Sequence, residues 1–117
     1  MPPLAYTVVA TIPDPDTLAR YIHWLLHGHI QAVVRGGAST AEVLGPDLSA
    51  LPASGPFRVE TRYTFPTPDA FRSYEENHAP TLRADGAARF GGVLGMTFTR
   101  QTATVLGRVD VGSGTTS

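Results

Sequence analysis

Apolar and polar positions along this chain follow two periods, and the changes of period mark its elements. Residues 5–12, AYTVVATI, alternate: Tyr6, Val8, Ala10 and Ile12 form the more apolar set and Thr7, Val9 and Thr11 the other, as in a strand with one face on a core. PDPD ends the strand, and Asp16 reads as the N-cap of a helix. From Thr17 the period is helical, with Leu18, Ile22, Leu25 and Leu26 on one stripe and Arg20, Trp24 and His27 on its flank. Gly28 ends or breaks this helix, and a further turn runs to Gly36-Gly37. Ser39 to Leu44 is a short strand, and residues 45–56, rich in Pro and Gly, form a loop. Residues 57–65, FRVETRYTF, read as a strand with Phe57, Val59, Tyr63 and Phe65 on one face and Arg58, Glu60 and Arg62 on the other. Thr67 caps a second helix with Pro68 at its first position, and Phe71, Tyr74 and Leu82 are its apolar markers. Pro80 ends or kinks it near His78, a short helix continues to Phe90, and Val93 to Arg100 form the last strand.

The order βαββαβ is the split βαβ, or ferredoxin-like, α+β arrangement, an antiparallel sheet with both helices on one face. Residues 1–106 make the domain and 107–117 a flexible tail. The uncovered face would carry Thr7, Val9, Thr11, Arg58, Glu60, Arg62, Thr97 and Thr99, with Val93 and Leu44 among them. That face is too apolar for ordinary solvent surface. A second copy is expected to cover it, making a homodimer whose two sheets enclose a barrel.

Composition removes several classes of function. The formal net charge of −1 excludes a polybasic nucleic-acid or membrane binder. With no cysteine there is no thiolate chemistry and no Cys-based metal site; all nine basic residues are Arg, so Schiff-base chemistry is excluded as well. GGVLG at 91–95 leads into a strand, not out of one, and is no phosphate cradle. No cofactor is expected, and no metal: His23 and His27, four apart on one helix face, lack a third ligand. The first residues hold no leader segment and no apolar run nears the ~20 residues of a membrane span, so a cytoplasmic protein is expected. Abundant Ala, Gly and Arg without Lys suits a GC-rich bacterial genome.

The two helical segments echo each other. Tyr21, Trp24, His29 and Gly36 occur in order in the first, and Phe71, Tyr74, His78 and Gly86 in the second, as a βαβ duplication would produce. The strings WLLHGHIQAVVRGG (24–37), RYTF (62–65) and YEENHAPTLRADGAARFGG (74–92) resemble a small bacterial family of domains of unknown function. The resemblance implies the dimeric α+β barrel superfamily, which includes cofactor-less monooxygenases, lactone isomerases, polyketide cyclases, stress-responsive proteins and haem enzymes. One departure is the end of the last strand, where Arg100 is followed by QTAT in place of an Arg-rich segment.

His29 and His78 match the family pattern and are the candidate general acid/bases, imidazole being the side chain that changes charge near neutral pH. Arg58, Glu60 and Arg62 share a strand face and would hold an anionic or enolate-like ligand if that face lines the barrel; ion pairing between strands or subunits is the competing role. Trp24 and Tyr74 are core or dimer packing residues that also qualify as ligand contacts, and Arg83 pairs with Asp85 or Glu76 or meets the ligand. The expected function is a small-molecule binder holding an apolar or anionic ligand between the two sheets. The alternatives are a cofactor-independent isomerase, cyclase or monooxygenase using His29 or His78, and a structural dimer with a filled barrel.

Overall fold

A computed structural model describes residues 1–109. The elements are β1 (Leu4–Ile12), α1 (Pro15–Trp24), a bulged helical segment (Leu25–His29), α2 (Ile30–Arg35), β2 (Thr40–Leu44), a single helical turn (Leu48–Ala50), β3 (Phe57–Phe65), α3 (Pro68–Asn77), α4 (Ala79–Phe90) and β4 (Thr97–Thr104). All neighbours in the sheet are antiparallel, in the order β2-β3-β1-β4. Each of the two crossovers, β1-to-β2 and β3-to-β4, therefore brackets a strand of the other half, as in a split βαβ.

Local chemistry explains most boundaries. Pro15 and Pro68 stand at the first turn of their helices, where a missing N–H costs nothing, and the residue before each is the cap. That moves the first cap from the expected Asp16 to Asp14, whose carboxylate accepts from the Thr17 N–H at 2.8 Å. Thr67 caps α3 as expected, accepting from the Ala70 N–H at 3.0 Å. The last strand begins four residues later than its apolar run suggests. Val93 and Met96 donate to the carbonyls of Phe90 and Val93, and Gly95 has φ +82°, so residues 91–96 are a turn. Pairing with β1 then carries β4 on to Thr104, opposite Leu4. Val93, expected on the uncovered sheet face, lies in that turn. Gly107, Arg108 and Val109 belong to no helix or strand, and the rest of the expected tail, 110–117, lies outside the described residues.

The register places the core. On the helix side of the sheet, β3, β1 and β4 contribute side-by-side rows: Val59–Ala10–Phe98, Thr61–Val8–Arg100 and Tyr63–Tyr6–Thr102. The core is split across the middle row. One cluster holds Ala10, Ile12, Leu18, Tyr21, Leu25, Phe57, Val59 and Phe90. The other holds Tyr6, Val33, Ala38, Tyr63, Phe65, Tyr74 and Ala79. Between them Thr61 and Val8 are short and Arg100 is exposed, so the row that separates the clusters fills little volume. The opposite face of the sheet carries Thr7, Val9, Thr11, Arg58, Glu60, Arg62, Thr97 and Thr99, with Leu44 at its edge, and no helix among the described residues covers it. Among the described residues no helix is long and apolar enough to cross a membrane.

Candidate functional site

A cavity of about 320 Å³ occupies the space between the two core clusters. Its floor is the row Thr61, Val8 and Arg100, with Tyr6, Tyr63 and Phe98 beside it; Trp24, Leu25 and His29 close one side, and Leu82, Arg83, Gly86 and Ala87 of α4 the other. Arg83, Ala87, Gly91 and Arg100 are its exposed members, which puts the mouth between α4 and β4. This volume is at the small end of the ~300–1,000 Å³ of ligand pockets, and the lining has their usual character, apolar and aromatic with a few polar groups.

Among the described residues no carboxylate lines the cavity, but two arginines, Arg83 and Arg100, do. Arg83 donates to Tyr6 Oη at 3.3 Å and to Glu75 at 2.6 Å, so its charge is answered from α3. Its partner is thus Glu75 rather than the expected Asp85 or Glu76, across the break at His78 between α3 and α4. Arg100 has no ion pair among the described residues; its guanidinium carbon lies 5.9 Å from the Phe98 ring centre. Burial holds the surrounding tyrosines protonated: Tyr21 and Tyr74 are each pushed up to about 12, and Tyr63 is raised further.

His29 reaches the cavity because the first helix is broken. His27 leaves helical geometry (φ −114°, ψ 43°), and Gly28 takes φ +144°, a conformation that disfavours any side chain. Gln31 braces the break, accepting from the Gly28 N–H at 2.9 Å and donating to the Leu26 carbonyl at 2.8 Å. The imidazole stacks on Trp24, ring centres 4.0 Å apart and planes 23° from parallel. Trp24 Nε1 in turn donates to Asp85 Oδ2 at 3.0 Å. His29 Nδ1 is buried without a hydrogen-bond partner, which leaves Nε2 as the nitrogen that can meet a ligand. Burial pushes this histidine down to about 4, outweighing the attraction of Asp85 for its proton, so at neutral pH the ring is uncharged.

The structure thus brings Trp24, His29, Tyr74 and Arg83 together in one cavity, on the helix side of the sheet and within one chain. His78 is exposed and does not line it; its ring stacks on Tyr74 with centres 6.4 Å apart. Arg58, Glu60 and Arg62 stand on the opposite face, where both guanidiniums pair with Glu60, at 3.0 Å for Arg58, and Arg62 reaches Glu42 at 4.0 Å. A second hollow of about 880 Å³ on that face is lined by Thr7, Thr40, Glu42, Arg62, Thr64 and Arg108, among others. His23 and His27 stack 4.0 Å apart, with His27 Nδ1 bonded to the His23 carbonyl. No cluster of three or more His, Asp or Glu suited to a metal occurs among the described residues. Sequence reasoning missed Arg100 and Thr61, both polar residues at positions whose parity points to the helices.

Solved structures with this chain tracing are alike in topology over nearly its whole length. The chain has the ferredoxin-like α+β fold. It superposes on a dimeric ferredoxin-like protein from an uncultured marine organism with a TM-score of 0.57 at 13% identity, covering 93% of this chain and 100% of that one. The ActVA-Orf6 monooxygenase of Streptomyces coelicolor, solved in complex with nanaomycin D, matches with a TM-score of 0.65 at 12% identity over 92% of this chain and 91% of that one. SnoaB, a cofactor-independent oxygenase from Streptomyces nogalater, gives 0.63 at 11% identity over 93% and 98%. No protein-family model and no curated protein sequence matches this ferredoxin-like chain.

Proposed function

We propose that the protein binds a small, flat aromatic molecule bearing an acidic oxygen, one in the cavity of each subunit of a homodimer. The observation that carries this reading is the lining itself: aromatic rings, two arginines and, among the described residues, no carboxylate around about 320 Å³. A flat ring system stacks on Tyr, Trp and Phe, and an anionic oxygen answers Arg100, which has no acidic partner among the described residues. His29 offers Nε2 as a neutral hydrogen-bonding group. Self-association through the open sheet face is supported by the half-apolar character of that face and by similar proteins described as dimeric. Arg58, Glu60 and Arg62 then belong to the contact between copies, and His78 lies outside the ligand's reach.

Trp24 is the chain's single tryptophan and lines the cavity, so its fluorescence reports occupancy. Titration with 1-hydroxy-2-naphthoate should quench it saturably, and Arg100→Gln should weaken binding by roughly ten- to a hundredfold, the range of a lost charged hydrogen bond. Equal affinity for 1-naphthylamine, or no effect of Arg100→Gln, would refute the reading.

A second reading, cofactor-independent oxygenation, is favoured by the activities named for two of the similar structures. In it His29 takes a proton from a phenolic substrate and molecular oxygen is the oxidant. Its value of about 4 sits about six units below a phenol's ordinary ~10, so the resting ring is a hydrogen-bond partner first and a poor base. Oxygen uptake with 1,4-dihydroxy-2-naphthoate that exceeds the rate without protein and is lost in His29→Ala would promote this reading over simple binding.

A further inference from the structure

We propose that Asp85 is a positioning residue for the cavity: through Trp24 it fixes the plane of the imidazole of His29. The inference rests on the reading of the cavity as a ligand site. His29 follows the break at His27 and Gly28 and opens α2 with helical backbone, but its Nδ1 has no hydrogen bond to orient the ring. What orients it is the indole face 4.0 Å away. That face is itself held by α4 at two points one residue apart. Asp85 Oδ2 accepts from the indole Nε1 at 3.0 Å, and a Cβ at Gly86 would lie 3.3 Å from the indole Cη2, so the bare glycine backbone lets the ring sit against the helix. The other oxygen of Asp85 accepts from Arg89 Nε at 3.1 Å, one turn along α4, and the indole bond first and this one second hold the carboxyl below its ordinary range.

Alanine at 85 frees one edge of the indole, and the imidazole stacked on it loses its fixed plane. A carboxylate that merely tied α4 to α1 would act through stability alone. The two roles separate by a spectroscopic signature and by rescue. In the wild type the ring protons of His29, stacked on the indole, should resonate upfield. Asp85→Ala should abolish that shift and raise the dissociation constant for 1-hydroxy-2-naphthoate by about tenfold, as for one lost orienting hydrogen bond. Asp85→Asn keeps an oxygen acceptor for the indole N–H and should restore both. Arg89→Ala breaks only the pair within α4 and should leave both as in the wild type. An unchanged His29 shift in Asp85→Ala overturns the proposal, and so does a shift lost equally in Arg89→Ala. If the wild type fails to bind the naphthoate, the ligand reading falls, while the ring shifts still decide whether Asp85 positions His29.

Discussion

A Cβ placed on Gly86 would lie 3.3 Å from Cη2 of Trp24, across the interface between the two halves of the chain. The converse contact exists as well: a Cβ on Gly36 would lie 3.1 Å from Cδ1 of Tyr74 and from Cγ of His78. Each half's glycine therefore lies against an aromatic ring of the other, Gly86 against Trp24 and Gly36 against Tyr74 together with His78. These glycines and aromatics are among the positions of the repeated order of aromatic, aromatic, histidine and glycine in the sequence.

The two glycines should respond differently to alanine. At Gly86 the obstructing atom is the far end of a half-buried indole, and alanine gains about 0.8–1 kcal/mol of helix propensity. Gly86→Ala should leave the melting temperature within a degree or two of wild type yet red-shift or quench the emission of Trp24. At Gly36 the obstruction is the ring of Tyr74, buried in the core, so Gly36→Ala should cost about 1–3 kcal/mol by overpacking. Urea denaturation of both variants tests the contrast; equal stabilities would contradict it.

Gly28 should tolerate no side chain, though for a different reason. Nothing lies within 4 Å of a Cβ there, so the cost is backbone strain at φ +144°. Gly28→Ala should destabilise by about 1–3 kcal/mol and should relocate His29, abolishing the upfield shift of its ring. A variant as stable as wild type would mean that the break in the first helix does not depend on glycine.

Stability should fall as the pH drops from about 6.5 toward about 4. The unfolded chain takes up a proton on His29 near its ordinary value of 6.5, and the folded chain only near about 4. Between those values the unfolded state binds more protons, so acid favours unfolding there, and above 6.5 this contribution is fully present. The lowered carboxylates, among them Asp14 and Asp85, lose their contribution only at lower pH, as it falls through the carboxylate range. Melting curves at pH 7 and pH 4.5 should differ in the wild type and converge in His29→Phe; an acid loss of the same size in that variant would assign it to another group.

The ion pairs of the open sheet face give the test of self-association. The side chain of Glu60 is only 16% exposed, and two guanidiniums close over it. If two copies meet there, Glu60→Ala leaves Arg58 unanswered in the contact and Arg62 with only Glu42 at 4.0 Å, and should raise the dimer dissociation constant by about tenfold or more. Asp69→Ala, which breaks an exposed pair on α3, should not. Sedimentation equilibrium of both variants decides it, and an unaffected Glu60→Ala would move the contact elsewhere.

Much of the fold was legible in the chain because it follows from local rules. Alternation in residues 5–12 and 57–65, proline and a polar cap at each helix start, and paired glycines after the first helical stretch are short-range signals, and with the βαββαβ order they suffice for a ferredoxin-like sheet. The start of β4 was not legible, since the apolar run 93–96 reads as strand although it forms a turn with Met96 on the core and Leu94 exposed, and only pairing with β1 distinguishes the two. The site was legible in part: Trp24, His29, Tyr74 and Arg83 stood out as residue types, but nothing local says that they meet. That depended on tertiary structure. The register sets Thr61, Val8 and Arg100 side by side in the one row that does not fill, and Gly86 lets α4 lie against Trp24. A cavity is a sum of volumes contributed by residues far apart in sequence, and no periodicity along the chain records that sum.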